Sequence, residues 1–310
     1  MKKFKLHKNE TYGIEIEFAT SKVNEIEKMM QQLKETQKIN DCWILKEEAT
    51  CDEIEHDKKG YEINSPVMDH QNHWIHELKI MLKVLEKYTT ITSTCAIHFH
   101  LGEQIFEENT RYLQDFLLMW SYYEPIIYRF STGEYNEIRP FIASYAKPLN
   151  ISMSNQQISA LEHHLEMKEF LTQFMKEFGK IFAVNLNPYY YAMKYRKNKH
   201  SFWEKATVEF RTFATTYQYD VIYSYLEMIL EMIEHVKTLS LEERSLYLES
   251  LKNRKKYIDP NSFSSEEMNM NPYFQLNMKK ALEFSKLIYQ DEKEQKQFMK
   301  IYTHKRKSYE

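Results

Sequence analysis

Glutamate, histidine and arginine recur at two-residue spacing in four short stretches of this chain. In Gly13-Ile14-Glu15-Ile16-Glu17-Phe18 the side chains of an extended strand would alternate. Ile14, Ile16 and Phe18 then face one way, and Glu15 and Glu17 the other, about 7 Å apart at roughly 3.3 Å of rise per residue. Two like charges sharing a space repel unless a cation lies between them. Tyr61-Glu62-Ile63-Asn64 presents Glu62 and Asn64 in the same way. Ile97-His98-Phe99-His100-Leu101 presents His98 and His100, and Val208-Glu209-Phe210-Arg211 presents Glu209 and Arg211. Each stretch alone has a plainer account: exposed glutamates are common on surface strands, and Glu-x-Arg suits a cross-strand ion pair. The repetition of one scheme in four strands says more than any one of them. Carboxylates with one or two imidazoles suit hard divalent cations, because Mg²⁺ takes carboxylate oxygen and water, and Mn²⁺ accepts imidazole as well. Two such ions beside an arginine are equipment for phosphoryl transfer. The metals neutralise phosphate oxygens and the guanidinium grips them through two N–H groups.

Such side chains need a sheet with one open face to bring them together. Strands are predicted at Tyr12–Phe18, from Trp43 onward, at Tyr61–Asn64, within Thr89–Leu101, at Ile181–Leu186 and at Ala206–Phe213. Which way Lys46 and Glu48 face on the Trp43 strand stays open, and its acidic continuation to Asp57 reads as a turn or hairpin. Helical spacing runs from a Ser21 cap to Lys38, over Asp69–Lys87 and over Asn109–Tyr128, where Pro125 kinks or ends the helix. It resumes over Asn155–Phe178, closed by Gly179 at C′, and over Asp220–Lys252 and Leu276–Tyr302. Ile138–Pro148 reads as a loop, and so does the tyrosine-rich, basic segment Pro188–His200, the alternative being a basic rim near bound phosphates that includes Lys194. Asn261–Ser265 reads as a linker, His163-His164 as helix surface and His304–Lys307 as a frayed basic tail. Alternating strands mixed with helices predict an α+β fold: an antiparallel sheet with helices on one face and a polar face left open.

Composition narrows the function classes. At 310 residues the chain can bury a large core. A net charge of -3 gives no overall field that points to nucleic acid or to a membrane surface. With 5 Gly and 7 Pro, a turn-rich barrel of short strands is excluded. Cys42, Cys51 and Cys95 have no metal-site spacing and are odd in number, which predicts free thiols in a reducing cytosol. No apolar h-region follows the lysines of Met1–Lys8, and no run approaches about 18 apolar residues, so the chain is expected to be cytoplasmic. Neither a G-x-x-x-x-G-K-[ST] loop nor a G-x-S-x-G elbow occurs, which argues against a P-loop ATPase and an α/β-hydrolase.

In this order the stretches resemble the amidoligase family, carboxylate–amine ligases related to glutamine synthetase and glutamate–cysteine ligase. The matching pieces are Gly13–Phe18, Glu62-Ile63-Asn64-Ser65-Pro66, Cys95–His100, Arg139 with Tyr145, and Val208–Arg211 followed by Thr215. The resemblance covers about residues 12 to 236. The resemblance implies a curved antiparallel sheet forming a funnel-like site in a glutamine synthetase-like catalytic domain, residues 1–254. Residues 255–310 would add a linker, a helix and a tail packed on it. It implies ATP and two or more Mg²⁺ ions, replaceable by Mn²⁺, with a small-molecule or peptide carboxylate and an amine as substrates. Glu15, Glu17, Glu62, His98 and Glu209 would be metal ligands, and His100 is a further candidate. Arg211 would contact phosphate, Arg139 the phosphate or the substrate carboxylate, and Lys46 and Lys194 are candidate nucleotide contacts. The base that takes the amine's proton is unnamed, with Glu48 a guess. In Glu48-Ala49-Thr50 the acid and hydroxyl of the family's Asp-Gly-Ser-like turn remain without its glycine, and Ala96 replaces the usual glycine before His98. Two other functions stay open: a metal enzyme of another class using His98 and His100, and a nucleotide-binding protein whose activity has drifted.

Overall fold

In a computed structural model, residues 9–51, 57–70, 74–139, 142–175, 182–195, 206–254, 275–305 and 307–308 are described. Six strands form one antiparallel sheet: β1 (Tyr12–Thr20), β2 (Ile44–Glu47), β3 (Lys59–Asn64), β4 (Ala96–Gly102), β5 (Val184–Asn185) and β6 (Thr207–Ala214). Their spatial order is β2-β3-β1-β4-β6-β5. Twelve helices are described: α1 (Val23–Glu35), α2 (Trp74–Tyr88), α3 (Thr110–Ser131), α4 (Ile142–Tyr145), α5 (Leu149–Ser152), α6 (Asn155–Glu162), α7 (Met167–Met175), α8 (Asn187–Tyr195), α9 (Tyr219–Val236), α10 (Leu241–Lys252), α11 (Met278–Ile288) and α12 (Glu292–Thr303). None of them is long and apolar enough to cross a membrane.

Alternation decides which face of the sheet is covered. Ile14, Ile16, Phe18, Ile63, Ile97, Phe99, Leu101, Val208 and Phe210 are all buried. Phe210 packs against Phe116 and Trp120 of α3, Phe213 against Tyr225 of α9, and Tyr12 edge-on against Trp74 of α2. The α+β layout expected from the sequence is therefore present.

One irregularity in the sheet was not expected. Ile97 pairs with Phe213, but Phe99 pairs with Phe210, so Arg211 and Thr212 together face His98. This is a β-bulge on β6. It lets Phe210 and Phe213, three residues apart, both pack inward, where a regular strand would put them on opposite faces.

Several predicted elements differ in extent. Ser21 does not cap α1: the N-cap is Lys22, without a side-chain cap. Pro125 lies inside α3 without ending it. A proline has no N–H for the carbonyl four residues back, and here Asn150 Nδ2 takes that Ser121 carbonyl at 2.9 Å. The predicted helix at 155–178 breaks at His163, whose carbonyl accepts from Gln114, so the His163-His164 pair is a junction. Gly179 lies outside the described residues. The Pro188–His200 segment is helical as far as Tyr195, and its remainder is not described. The predicted helices at 220–252 and 276–302 each divide in two, at the Ser240 capping box and at the Asp291 N-cap. In the C-terminal basic stretch, Lys305 and Lys307 are tied down and not frayed, and Arg306 lies outside the described residues. Lys305 Nζ donates to the Gly133 carbonyl at 2.7 Å, and Lys307 pairs with Glu134 at 3.2 Å. The 261–265 linker lies outside the described residues.

Candidate functional site

Strand pairing brings the polar residues together on the open face. On β1, Glu15 lies between Asn64 of β3 and His98 of β4, and Glu17 lies opposite Glu62. Across the next ladder His100 faces Glu209. Glu15, His100 and Glu209 each offer a ligand atom, and these atoms lie within 4.8 Å of one another. His98 stands among three carboxylates. Its Nδ1 is 3.2 Å from Glu15 Oε2 and 3.6 Å from Glu209 Oε1, and its Nε2 is 3.5 Å from Glu17 Oε1.

Each carboxylate has further partners that fix it. Glu17 Oε2 accepts the Ala96 N–H at 2.7 Å and the Cys51 thiol at 3.5 Å. Its own carbonyl accepts Thr215 Oγ1 at 3.1 Å. Glu209 accepts from Arg211 Nη1 on one oxygen and from Asn185 Nδ2 on the other. Glu62 accepts from Lys46 Nζ at 3.3 Å and Asn64 Nδ2 at 2.9 Å. Arg211 Nε donates to the Tyr145 carbonyl at 3.0 Å.

Burial opposes charge on Glu15, yet His100 and His98 outweigh it and hold Glu15 well below the usual carboxylate range. Glu209 is also lowered: burial opposes, and His100, His98 and Arg211 prevail. Burial likewise opposes charge on His100, but Glu15 and Glu209 raise its pKa. The three shifts share one cause: carboxylates and imidazoles held close together each favour the charged form of the other. His100 Nε2 is buried 3.2 Å from Glu15 Oε1 but is outside hydrogen-bond geometry. An orphaned ring nitrogen beside two carboxylates fits a bound divalent ion better than it fits a finished hydrogen-bond network.

The turn at 49–51 closes one end of the site. Gly60 on β3 allows it, because a Cβ there would lie 2.0 Å from the Glu48 carbonyl oxygen and 2.8 Å from Cys51. Cys95 beside it, together with burial, pushes the Cys51 thiol up, so Cys51 remains a protonated donor to Glu17. At the other end a cavity of about 480 Å³ opens beside Glu15 and His100, lined among others by Gly13, Ser65, Gln104 and Thr207.

Three predicted residues stand apart from the cluster. Glu48 turns its carboxylate back on Thr50, accepting from its N–H and hydroxyl at 3.1 and 2.7 Å. Lys194 is exposed, over the rings of Tyr190 and Tyr195. Arg139 is buried, and its terminal nitrogens donate to main-chain carbonyls. Sequence reasoning missed Asn185 and Cys51. The two residues of β5 carry no readable period, and a free thiol in sequence gives no sign of a carboxylate partner.

No curated protein matches the chain in sequence. Among solved structures it is similar to a bifunctional glutathione synthetase from Pasteurella multocida at 11% identity and a TM-score of 0.43. That match covers 94% of this chain and 46% of the other, so the chain spans less than half of that protein's length. The sequence model of one family, described as "Putative amidoligase enzyme", matches residues 8–233. The match takes in every strand and each of the four polar stretches, and the chain belongs to this amidoligase family.

Proposed function

We propose that the chain is an ATP- and Mg²⁺-dependent carboxylate–amine ligase that forms an amide through an acyl phosphate, on a glutamine synthetase-like sheet. The observation that carries this reading is the convergence of Glu15, His98, His100, Glu209 and Arg211 on one open face. Family membership supplies the reaction class, with a carboxylate and an amine as substrates. Glu15, His100 and Glu209 would hold one divalent ion, and Glu17, Glu62 and His98 the flank of a second. When bound, such ions neutralise the oxygens of a triphosphate.

The chain's own residues have separate tasks in this reading. Arg211 is braced by Glu209 and the Tyr145 carbonyl, which leaves Nη2 for an oxygen of the transferring phosphoryl group. Lys46, ion-paired with Glu62 at the sheet edge, would meet an anion entering from that side. The cavity beside Glu15 and His100 takes the nucleoside, and the Glu17 side takes the acid. A substrate carboxylate oxygen attacks the γ-phosphorus and ADP leaves. The amine nitrogen then attacks the acyl carbon, phosphate leaves, and the nitrogen gives up a proton. Glu48 would have to leave Thr50 to accept that proton.

The test is ADP release from ATP by the purified protein, with Mg²⁺, across panels of carboxylates and amines. Release is expected only with all components present. Glu209→Gln should abolish it while leaving the circular dichroism spectrum unchanged. Co-purified iron or zinc with no nucleotide binding would sink the proposal.

A further inference from the structure

Arg139 sits where β6 carries one residue too many. It is 5% exposed. Its Nη2 donates to the Arg211 carbonyl at 3.1 Å, and its Nη1 donates to the Thr94 and Cys95 carbonyls at 3.2 and 3.1 Å. Its Nε is buried and has no hydrogen-bond partner, so it is not offered to a substrate at the surface. A bulge takes peptide groups out of the ladder, and a buried carbonyl left unpaired is costly. A guanidinium can serve several carbonyls at once, being planar, always charged and rich in donors.

The clamp reaches the site from two sides. Cys95 precedes Ala96, whose N–H holds Glu17. Arg211, whose carbonyl is held, pairs through its side chain with Glu209. Glu17 and Glu209 are two of the three carboxylates around His98. We infer that Arg139 is a positioning residue: it locks the β6 bulge against the start of β4 and so fixes Glu17, Glu209 and Arg211 around His98. This role replaces the phosphate or carboxylate contact expected of it. Were the bulge to relax into a regular ladder, residues on one side of it would change faces, since a slip of one position reverses facing. Arg211 and the Phe210–Phe213 pair could then no longer keep their present sides.

The catalytic consequence rests on the proposed ligase activity, but the positioning does not, so the test begins without substrate. Amide hydrogen exchange is compared between the native protein and Arg139→Met. Exchange is expected to accelerate about tenfold or more at 94–97 and 209–213, since a hydrogen bond from a charged donor is worth at least that factor, while β2 and β3 exchange as before. Should Arg139→Met not fold, Arg139→Lys, which keeps the buried charge, gives the same comparison. If neither folds, Arg139→Gly refolded with and without guanidinium ion decides: recovery of the fold only with the ion supports the clamp, and no recovery overturns it. In a turnover assay, kcat should fall with little change in KM for ATP. Unchanged exchange in both segments, together with weakened nucleotide or acid binding, would overturn the inference in favour of direct contact. A wild-type chain without ligase activity that still showed the exchange response would leave the clamp standing and remove the function.

Discussion

Both oxygens of Glu209 are engaged, one by Arg211 and the other by Asn185. Asn185 is itself oriented, because its Oδ1 accepts the Asn187 N–H at 2.9 Å and its amide nitrogen is left to donate. A partner that aims a ligand in this way commonly governs metal affinity. Under the proposed function Glu209 is a metal ligand, and Asn185→Ala is then expected to weaken Mn²⁺ binding about 10–100-fold, as second partners of metal ligands do, with the fold intact. Titration followed by electron paramagnetic resonance would show it, and unchanged affinity would mean that Glu209 needs no such aim. The facing of Glu15, Glu17, Glu62, His98, His100, Glu209 and Arg211 was legible because strand parity encodes it. Arg139, Glu48 and Lys194 were not legible in the same sense. They lie in loops, turns or helices, where chemistry is written in the residue type but direction is not.

Between α9 and α10 the chain turns sharply. Ser240 caps α10 with a reciprocal Ser240–Glu243 box, and His235 near the end of α9 lies 3.6 Å from Glu243. Burial lowers the His235 pKa below its ordinary 6.5, with Glu243 opposing. The folded state thus prefers the neutral ring. Above about pH 6.5 neither state carries the proton. As pH falls below that, the unfolded chain takes it up first and stability declines through the lower folded value. Urea midpoints should therefore drop on acidification below about pH 6.5, and His235→Gln should flatten that part of the profile. An equal slope in wild type and variant would rule His235 out as the source. Helix ends were harder to read than helix existence. Ser240-x-x-Glu243 is a start signal that apolar periodicity alone runs past, and the first turn of a new helix can stay in phase with the old one. The bulge had a signal too: Phe210 and Phe213, three apart in a strand, cannot both face a core without one.

Across the whole molecule the C-terminal helices share the sheet's core. Phe298 of α12 is buried, stacked on Phe130 of α3 with ring centroids 4.4 Å apart, and it touches Phe284 of α11. Phe298→Ala should cost roughly 3–5 kcal/mol, the usual penalty for emptying an aromatic core site. Far-ultraviolet dichroism and tryptophan fluorescence should melt together if the core is one unit, and two separate transitions would contradict this. The α+β class was legible from alternating strands among helices. The order β2-β3-β1-β4-β6-β5 was not, because pairing partners are chosen by long-range packing that no local pattern carries. One small residue joins these scales. Gly60 has no side chain to offer a substrate, yet that missing side chain is what lets the 49–51 turn lie flat on β3 and bring the Cys51 sulfur to Glu17. In a saturation scan this position would tolerate as little as an imidazole of the centre does, and a reader of that scan would be wrong to credit it with any chemistry.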